Sequence, residues 1–355
     1  MIIPVLVTIQ GKRITKGEIM EHTYHNVKLT APEVGSLWMQ YISDSLSKCV
    51  LRHFIYHVKD EAIEKVLRYA LSLSETHLEK IKEFFTKEEL PIPIGFTDED
   101  VKVGAPPLFT DTFMIVYIHT MSIHGLTRYA GAIGTCVRED VRKYFIQCSA
   151  ETTELYDQAT EVVLNKGIIS KPPTMTNKHT VDYVTKQSFL TGWFGDRRPI
   201  NSIEISGTYI NMHKNVVKVV LEMGFRQVTQ IKEVEQFMTR AEKLCKRHID
   251  ILSKMLTDDN LHAPRSYEEE VTDSSVAPFS EKLMMYHITT LLSATIGYYG
   301  EALSMCQRRD LSGSYVKMIT EIGLLAEDGA QLLIDYGWLE QPPGAPDRNK
   351  LKNGK

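Results

Sequence analysis

The sequence contains no Cys-x-x-Cys pair, and its cysteines, Cys49, Cys136, Cys148, Cys245 and Cys306, are odd in number. That argues against a zinc ribbon or a disulfide framework and for reduced thiols in a cytoplasmic setting. There is no glycine-rich phosphate loop and no G-x-S-x-G elbow, so nothing points to nucleotide or serine-hydrolase chemistry. None of the 12 histidines has a glutamate three residues before it. This removes the Glu-x-x-His ligand pair of the common di-iron and di-manganese bundles. Charge of one sign is not in excess. A net charge of −4 over 355 residues gives no electrostatic footprint for nucleic acid. Long uncharged apolar runs are also missing. The most apolar stretch, Phe113 to Val137, carries His119, His124 and Arg128 and reads as a buried bundle helix, not a transmembrane segment.

What is present is a repeat. The text from Cys136 to Pro173 returns from Cys306 to Pro343. Arg138 matches Arg308, Asp140 matches Asp310, Glu151 matches Glu321 and Gly167 matches Gly337, each pair 170 positions apart. Thr30-Ala31-Pro32-Glu33 has the form of a helix-capping box with proline in the first turn, and Asn201-Ser202-Ile203-Glu204 repeats it at a separation of 171. A first helix is expected to about Tyr56, and its copy to about Gln227. Ile63, Val66, Ala70, Leu73, Ile81 and Phe84 recur at alternating spacings of 3 and 4, the seam of a second helix. A proline- and glycine-containing stretch then separates it from a third helix, and a tight connection at Arg138–Asp140 leads to a fourth.

Short turn, long crossover, short turn, repeated twice, is the pattern of two tandem ferritin-like four-helix bundles, all-α, each with a long crossover between helices 2 and 3. The expected limits are 30–173 for the first bundle and 199–343 for the second. An aromatic and arginine-containing linker, 174–198, joins them, and a charged tail, 344–355, follows. Residues 1–29 form an N-terminal extension. Codons for Lys16 to Met20 can spell a purine-rich ribosome-binding site ahead of a start codon, so the native start is expected at Met20, with residues 1–19 a translated leader.

The repeated unit, together with LTAPEVGSLWMQY, PIPIGFTDEDV, QSFLTGWFGDRRPIN, VAPFSEKLMMYHIT and EDGAQLLIDYGWLEQPP, resembles the DUF3231 family of spore-forming bacilli and their relatives. The resemblance runs from about Lys28 to Pro343. It implies ferritin-like bundles and a sporulation or spore coat setting. It implies no reaction and no catalytic residues.

Within the repeat, only one histidine of the matched helices keeps its counterpart: His77 and His248 occupy the same seam position of helix 2. On helix 4, Val141, Tyr144, Cys148, Glu151 and Leu155 form a stripe that places Glu151 inward, and Glu321 does the same in the copy. Each bundle is thus expected to direct one His and one Glu into its core, where an ionised group needs a partner. A structural His–Glu hydrogen bond is one reading; a metal ion or small ligand at His77/Glu151 and His248/Glu321 is the other. Further candidates are His53/His57 and His119/His124 as helix-face metal pairs, and Cys136 and Cys306 as thiols activated by Arg138 and Arg308. Trp193, Arg197 and Arg198 are candidates for a cleft between the bundles. No cofactor is predicted. The expected role is structural or interaction-based, with protein partners or self-association, and metal or small-ligand binding as the alternative.

Overall fold

Thr30 and Asn201 start equivalent helices, and the glutamates three residues on explain why both ends are well defined. Thr30 N–H and its hydroxyl donate to Glu33 Oε2 at 2.7 and 2.8 Å, and Asn201 N–H donates to Glu204 Oε2 at 3.1 Å. Each glutamate turns its other oxygen to the start of the fourth helix of its own half. Glu33 Oε1 accepts the amides of Val137 and Arg138 at 2.9 and 2.7 Å. Glu204 Oε1 accepts those of Gln307 and Arg308 at 3.0 and 2.9 Å. Both side chains are fully or almost fully buried.

The computed structural model describes residues 7–9, 12–14, 27–168, 170–175, 180–193 and 197–348. The first half holds α1 (Ala31–His57), α2 (Glu61–Lys87), α3 (Asp111–Thr135) and α4 (Glu139–Asn165). The second half holds α5 (Ser202–Val228), α6 (Lys232–Thr257), α7 (Glu281–Met305) and α8 (Arg309–Asp335). The expected start at Met20 lies outside the described residues. Nearby, only two short antiparallel strands are described, Val7–Ile9 and Lys12–Ile14.

Contacts fix the helix directions. Phe54 meets Tyr117 and Gln40 meets Tyr129, so α1 and α3 are antiparallel. Asp60 pairs with Lys166 and Phe84 packs on Tyr144, so α2 and α4 are antiparallel too. Each half is therefore two hairpins joined by a long crossover, the arrangement expected from the loop lengths. The fourth helix of each half stops in a turn with a left-handed glycine, Gly167 (φ 64°) and Gly337 (φ 68°), which suits a residue without Cβ.

The crossovers do more than span their own bundles. Val101 bridges to Phe279 and Phe109 bridges to Val271. Lys102 N–H donates to Pro278 O (2.7 Å), and Thr272 N–H donates to Leu108 O (3.0 Å). Thr110 N–H reaches Glu270 O (3.1 Å), and Ser280 N–H reaches Asp100 O (3.0 Å). Adding 170 to one member of each pair and subtracting it from the other gives the second pair. The two halves are thus related by a local two-fold axis. On it lie Tyr117 and His287, themselves 170 apart, with the hydroxyl 3.3 Å from Nε2. Phe109 enters the opposite half against Gly224, where a Cβ would lie 2.6 Å from its ring.

Burial works to raise the carboxyl pKa of both glutamates. Hydrogen bonds from Thr30, Arg138 and Val137 outweigh it at Glu33, and the Arg198 guanidinium with backbone amides does so at Glu204, so both are held below the ordinary 4.5. A carboxyl with a depressed folded-state pKa contributes stability above its unfolded value and loses it as the pH falls through the folded value. Glu33→Gln and Glu204→Gln are each expected to cost about 2–4 kcal/mol in urea unfolding at neutral pH. Each should also flatten the loss of stability of the parent protein below pH 4.5. Mutants as stable as the parent at pH 7 would show that these carboxylates do not clamp the helices.

Candidate functional site

Asp44 on α1, His77 on α2 and Cys148 and Glu151 on α4 converge in the core of the first half. His77 Nε2 lies 3.1 Å from Glu151 Oε2, and its Nδ1 lies 3.4 Å from Asp44 Oδ2. His77, Cys148 and Glu151 each offer a ligand atom, all within 4.8 Å of one another. Around them, Gln147 Nε2 donates to Glu151 Oε1 at 2.8 Å, and Gln40 Nε2 points at Cys148 Sγ from 3.7 Å. The alignment between His77 and Asp44 is poor, so Asp44 Oδ2 and His77 Nδ1 both stay without a hydrogen bond, as does Gln40 Oε1. Burial alone would lower the His77 pKa. Asp44 and Cys148 outweigh it and push it up to about 11.

The second half builds the same pair in different surroundings. His248 Nε2 lies 2.9 Å from Glu321 Oε2, so the structure brings together both expected His–Glu pairs. Here Nδ1 faces the Tyr299 hydroxyl at 3.2 Å, Arg247 neutralises Glu321 from 3.1 Å, and the counterparts of Asp44 and Cys148 are Asn215 and Met318. Burial, with Lys218 and Arg247 adding to it against the pull of Glu321, lowers His248 to about 4. The repeat thus holds one imidazole among acceptors that favour its cation and one that is kept neutral.

A cavity of about 180 Å³ adjoins His77. It lies among α1, α2, α3 and α4 and is roofed by α7 of the other half, through Tyr286, His287, Thr290, Leu291 and Ala294. Most of its exposed wall is apolar, but polar side chains also line it, among them Gln40, Asp44, His77 and Arg128. In the second half, the residues at the same repeat positions are larger. Ser43, Ser47, Ser122, Gly125 and Thr152 line the cavity; their counterparts are Lys214, Lys218, Leu292, Thr295 and Ile322. Lys218 Nζ there donates to Thr295 Oγ1 at 2.9 Å in the buried interior. Small residues leave the first half hollow, and large ones fill the second.

Trp193, Arg197 and Arg198 are placed elsewhere. Arg198 binds Glu204 through both terminal nitrogens at 2.8 Å and stacks 4.0 Å over Phe189. Arg197 reaches Asp310 and Asp258 at 3.5 and 3.4 Å. Trp193 covers Gly313. All three attach the linker to the second half, and none lines the cavity between halves. His53 and His57 meet edge to face with ring centroids 4.8 Å apart, and His53 Nδ1 bonds Val103 O at 3.1 Å. His119 and His124 diverge, one towards Tyr156 and His213, the other to the Tyr298 hydroxyl. Burial pushes the Cys136 and Cys306 thiols up to about 11, against the activation expected from Arg138 and Arg308. Those arginines instead grip Asp140 and Asp310 at the turn into the fourth helix.

Asp44 and Cys148 were not singled out by sequence. Both lie on buried helix faces, and the available signal was their replacement by Asn215 and Met318.

An all-helical, internally two-fold protein with a His–carboxylate pair in each half is the class that this geometry defines. The chain belongs to DUF3231, described as a protein of unknown function, whose family model matches residues 17–181 and 188–351. No curated protein matches it. Among solved structures, it is similar to one described as a candidate spore coat protein from Bacillus halodurans, at 23% identity and a TM-score of 0.40, over 43% of this chain and 99% of that one. Among the described residues, no helix is long and apolar enough to cross a membrane.

The two imidazoles provide a direct test of these electrostatics. In metal-free protein at about pH 8, nitrogen chemical shifts are expected to show His77 protonated on both nitrogens and His248 neutral. Asp44→Asn, which installs the residue found at 215, should lower the His77 midpoint. A His77 that is neutral at pH 8 in the parent protein would contradict the role given to Asp44.

Proposed function

We propose that this chain is a non-catalytic, ferritin-like binding protein whose first bundle holds a small organic molecule and whose second bundle serves as scaffold and lid. The observation that carries the reading is the contrast between a hollow first half and a filled second half. Cavities lined only by apolar side chains are a cost without a compensating gain, of roughly 24 cal/mol per Å³ in core truncations. Here the space of about 180 Å³ is kept open by small residues, the buried acceptor Gln40 Oε1 on its wall has no donor, and Asp44 Oδ2 faces only the poorly aligned His77 Nδ1 at 3.4 Å.

The volume and the lining support one ligand class. A cavity of about 150 Å³ accommodates benzene, so this one suits a molecule of about six to nine non-hydrogen atoms. Its body is apolar, against Leu46, Leu73, Ile118 and Leu155. Its head is a hydrogen-bond donor, such as a phenol or a small amine, directed at Gln40 and Asp44. Five cysteines without a disulfide suit a reducing compartment. We place the protein in the cytoplasm, in the sporulation setting implied by the family resemblance.

The second reading, a purely structural or interaction protein, is favoured by one observation: the His248–Glu321 pair is closed by Tyr299 and Arg247, with its space filled. Calorimetric titration with phenol and benzylamine separates the two. One saturable site per chain is expected for at least one of them. Ser122→Leu, the residue found at 292, should weaken it more than tenfold and raise stability by about 1 kcal/mol by filling the space. Absence of saturable binding by either compound would leave the structural reading in place.

A further inference from the structure

We infer that the first half also carries a single transition-metal site, formed by His77 Nε2, Cys148 Sγ and a Glu151 carboxylate oxygen, with zinc as the fitting ion. An imidazole, a thiolate and a carboxylate form a mixed nitrogen, sulfur and oxygen set that zinc accepts in tetrahedral geometry. Ligand atoms around such an ion lie roughly 3.4 Å apart. His77 Nε2 and Glu151 Oε2 are 3.1 Å apart, and all three ligand atoms fall within 4.8 Å. Small side-chain rotations bring them onto one centre. The fourth position is left for water or a ligand atom.

The surroundings are those of a metal centre as well. A ligating histidine commonly gives its other ring nitrogen to a carboxylate, which sets the tautomer and the ring orientation. Asp44 Oδ2 stands 3.4 Å from His77 Nδ1, and both atoms are buried without another partner. Gln147 holds the second oxygen of Glu151, and Gln40 points its amide at the sulfur. A zinc ligand set needs a thiolate and a free imidazole nitrogen, so binding is coupled to proton release.

The second half identifies which parts matter. Met318 stands where the thiolate would be, Asn215 where the carboxylate behind the imidazole would be, and Arg247 supplies Glu321 with an internal cation. There the His–Glu pair is complete without a metal. The site is therefore assigned once per chain. It does not depend on the cavity holding an organic molecule.

Chelator-stripped full chain, made without a histidine tag, is titrated with Co²⁺ in the absence of phenol. One equivalent is expected to bind, with the ultraviolet charge-transfer band of a cobalt thiolate. Cys148→Met, which copies residue 318, should abolish that band, and His248→Gln should leave it intact. Asp44→Asn should keep the band and weaken binding about ten- to a hundredfold. Should Cys148→Met not fold, His77→Gln serves as the second variant, with a loss of at least a hundredfold expected. No thiolate band in the parent chain, or a band that survives Cys148→Met, would overturn the assignment. The two readings fail separately: Ser122→Leu should retain the cobalt site, and Cys148→Met should retain phenol binding.

Discussion

A buried carboxylate at the third position of the first helix sets the geometry of each half. Glu33 receives the Thr30 amide and hydroxyl that open α1 on one oxygen and the two amides that open α4 on the other. This ties two parallel helices at one end and fixes their relative height. Asp44 stands 11 residues beyond Glu33, and Cys148 stands 10 residues beyond Arg138. At 1.5 Å per residue, both lie about 15–17 Å from the clamp. The level at which the acidic and thiol groups meet His77 is thus a consequence of the clamp. A shift of one residue along α4 would turn Cys148 and Glu151 by about 100° away from the imidazole.

The polar interior differs between halves in how its charges are matched. In the first, His77 stands between carboxylates and beside a void. In the second, the interior carries its own cations: Lys218 is buried on Thr295, and Lys214 lies 2.9 Å from the centre of the Tyr298 ring, with burial lowering it to about 7. Glu222, fully buried beside Cys245, is raised by burial to about 8. Both interiors keep buried acceptors without a donor, Gln40 Oε1 and Asp44 Oδ2 in the first and Asn215 Oδ1 and Glu222 Oε2 in the second, but only the first leaves open space beside them.

Much of the fold was legible because its signals are local. Capping boxes, seam spacing and C-terminal glycines depend on a few neighbouring residues, and Ala31–His57 begins and ends within a residue or two of its expected limits. The His–Glu pairs were legible through recurrence. Recurrence is blind to what only one copy contains, so Asp44 and Cys148 escaped it, as did the cavity, which arises from Ser43, Ser47 and Gly125 being small. The arginines at 197 and 198 were visible as charges, but their partners, Asp258, Asp310 and Glu204, are set by chain folding. The exchange of crossover backbone between halves left no local trace: Val101 and Phe279 are too far apart in sequence for any periodicity to connect them.

That exchange has a further consequence. Two identical chains meeting through the same pairs, 101 with 279 and 109 with 271, would make a symmetric dimer in which every substitution is made twice. In such a dimer, widening one interior widens both, and placing a lysine in one places it in both. Joining the halves in one chain removes that coupling while the shared crossover bonds still hold them together. One side can accept the instability of an open interior because the other side, packed solid against it, does not have to.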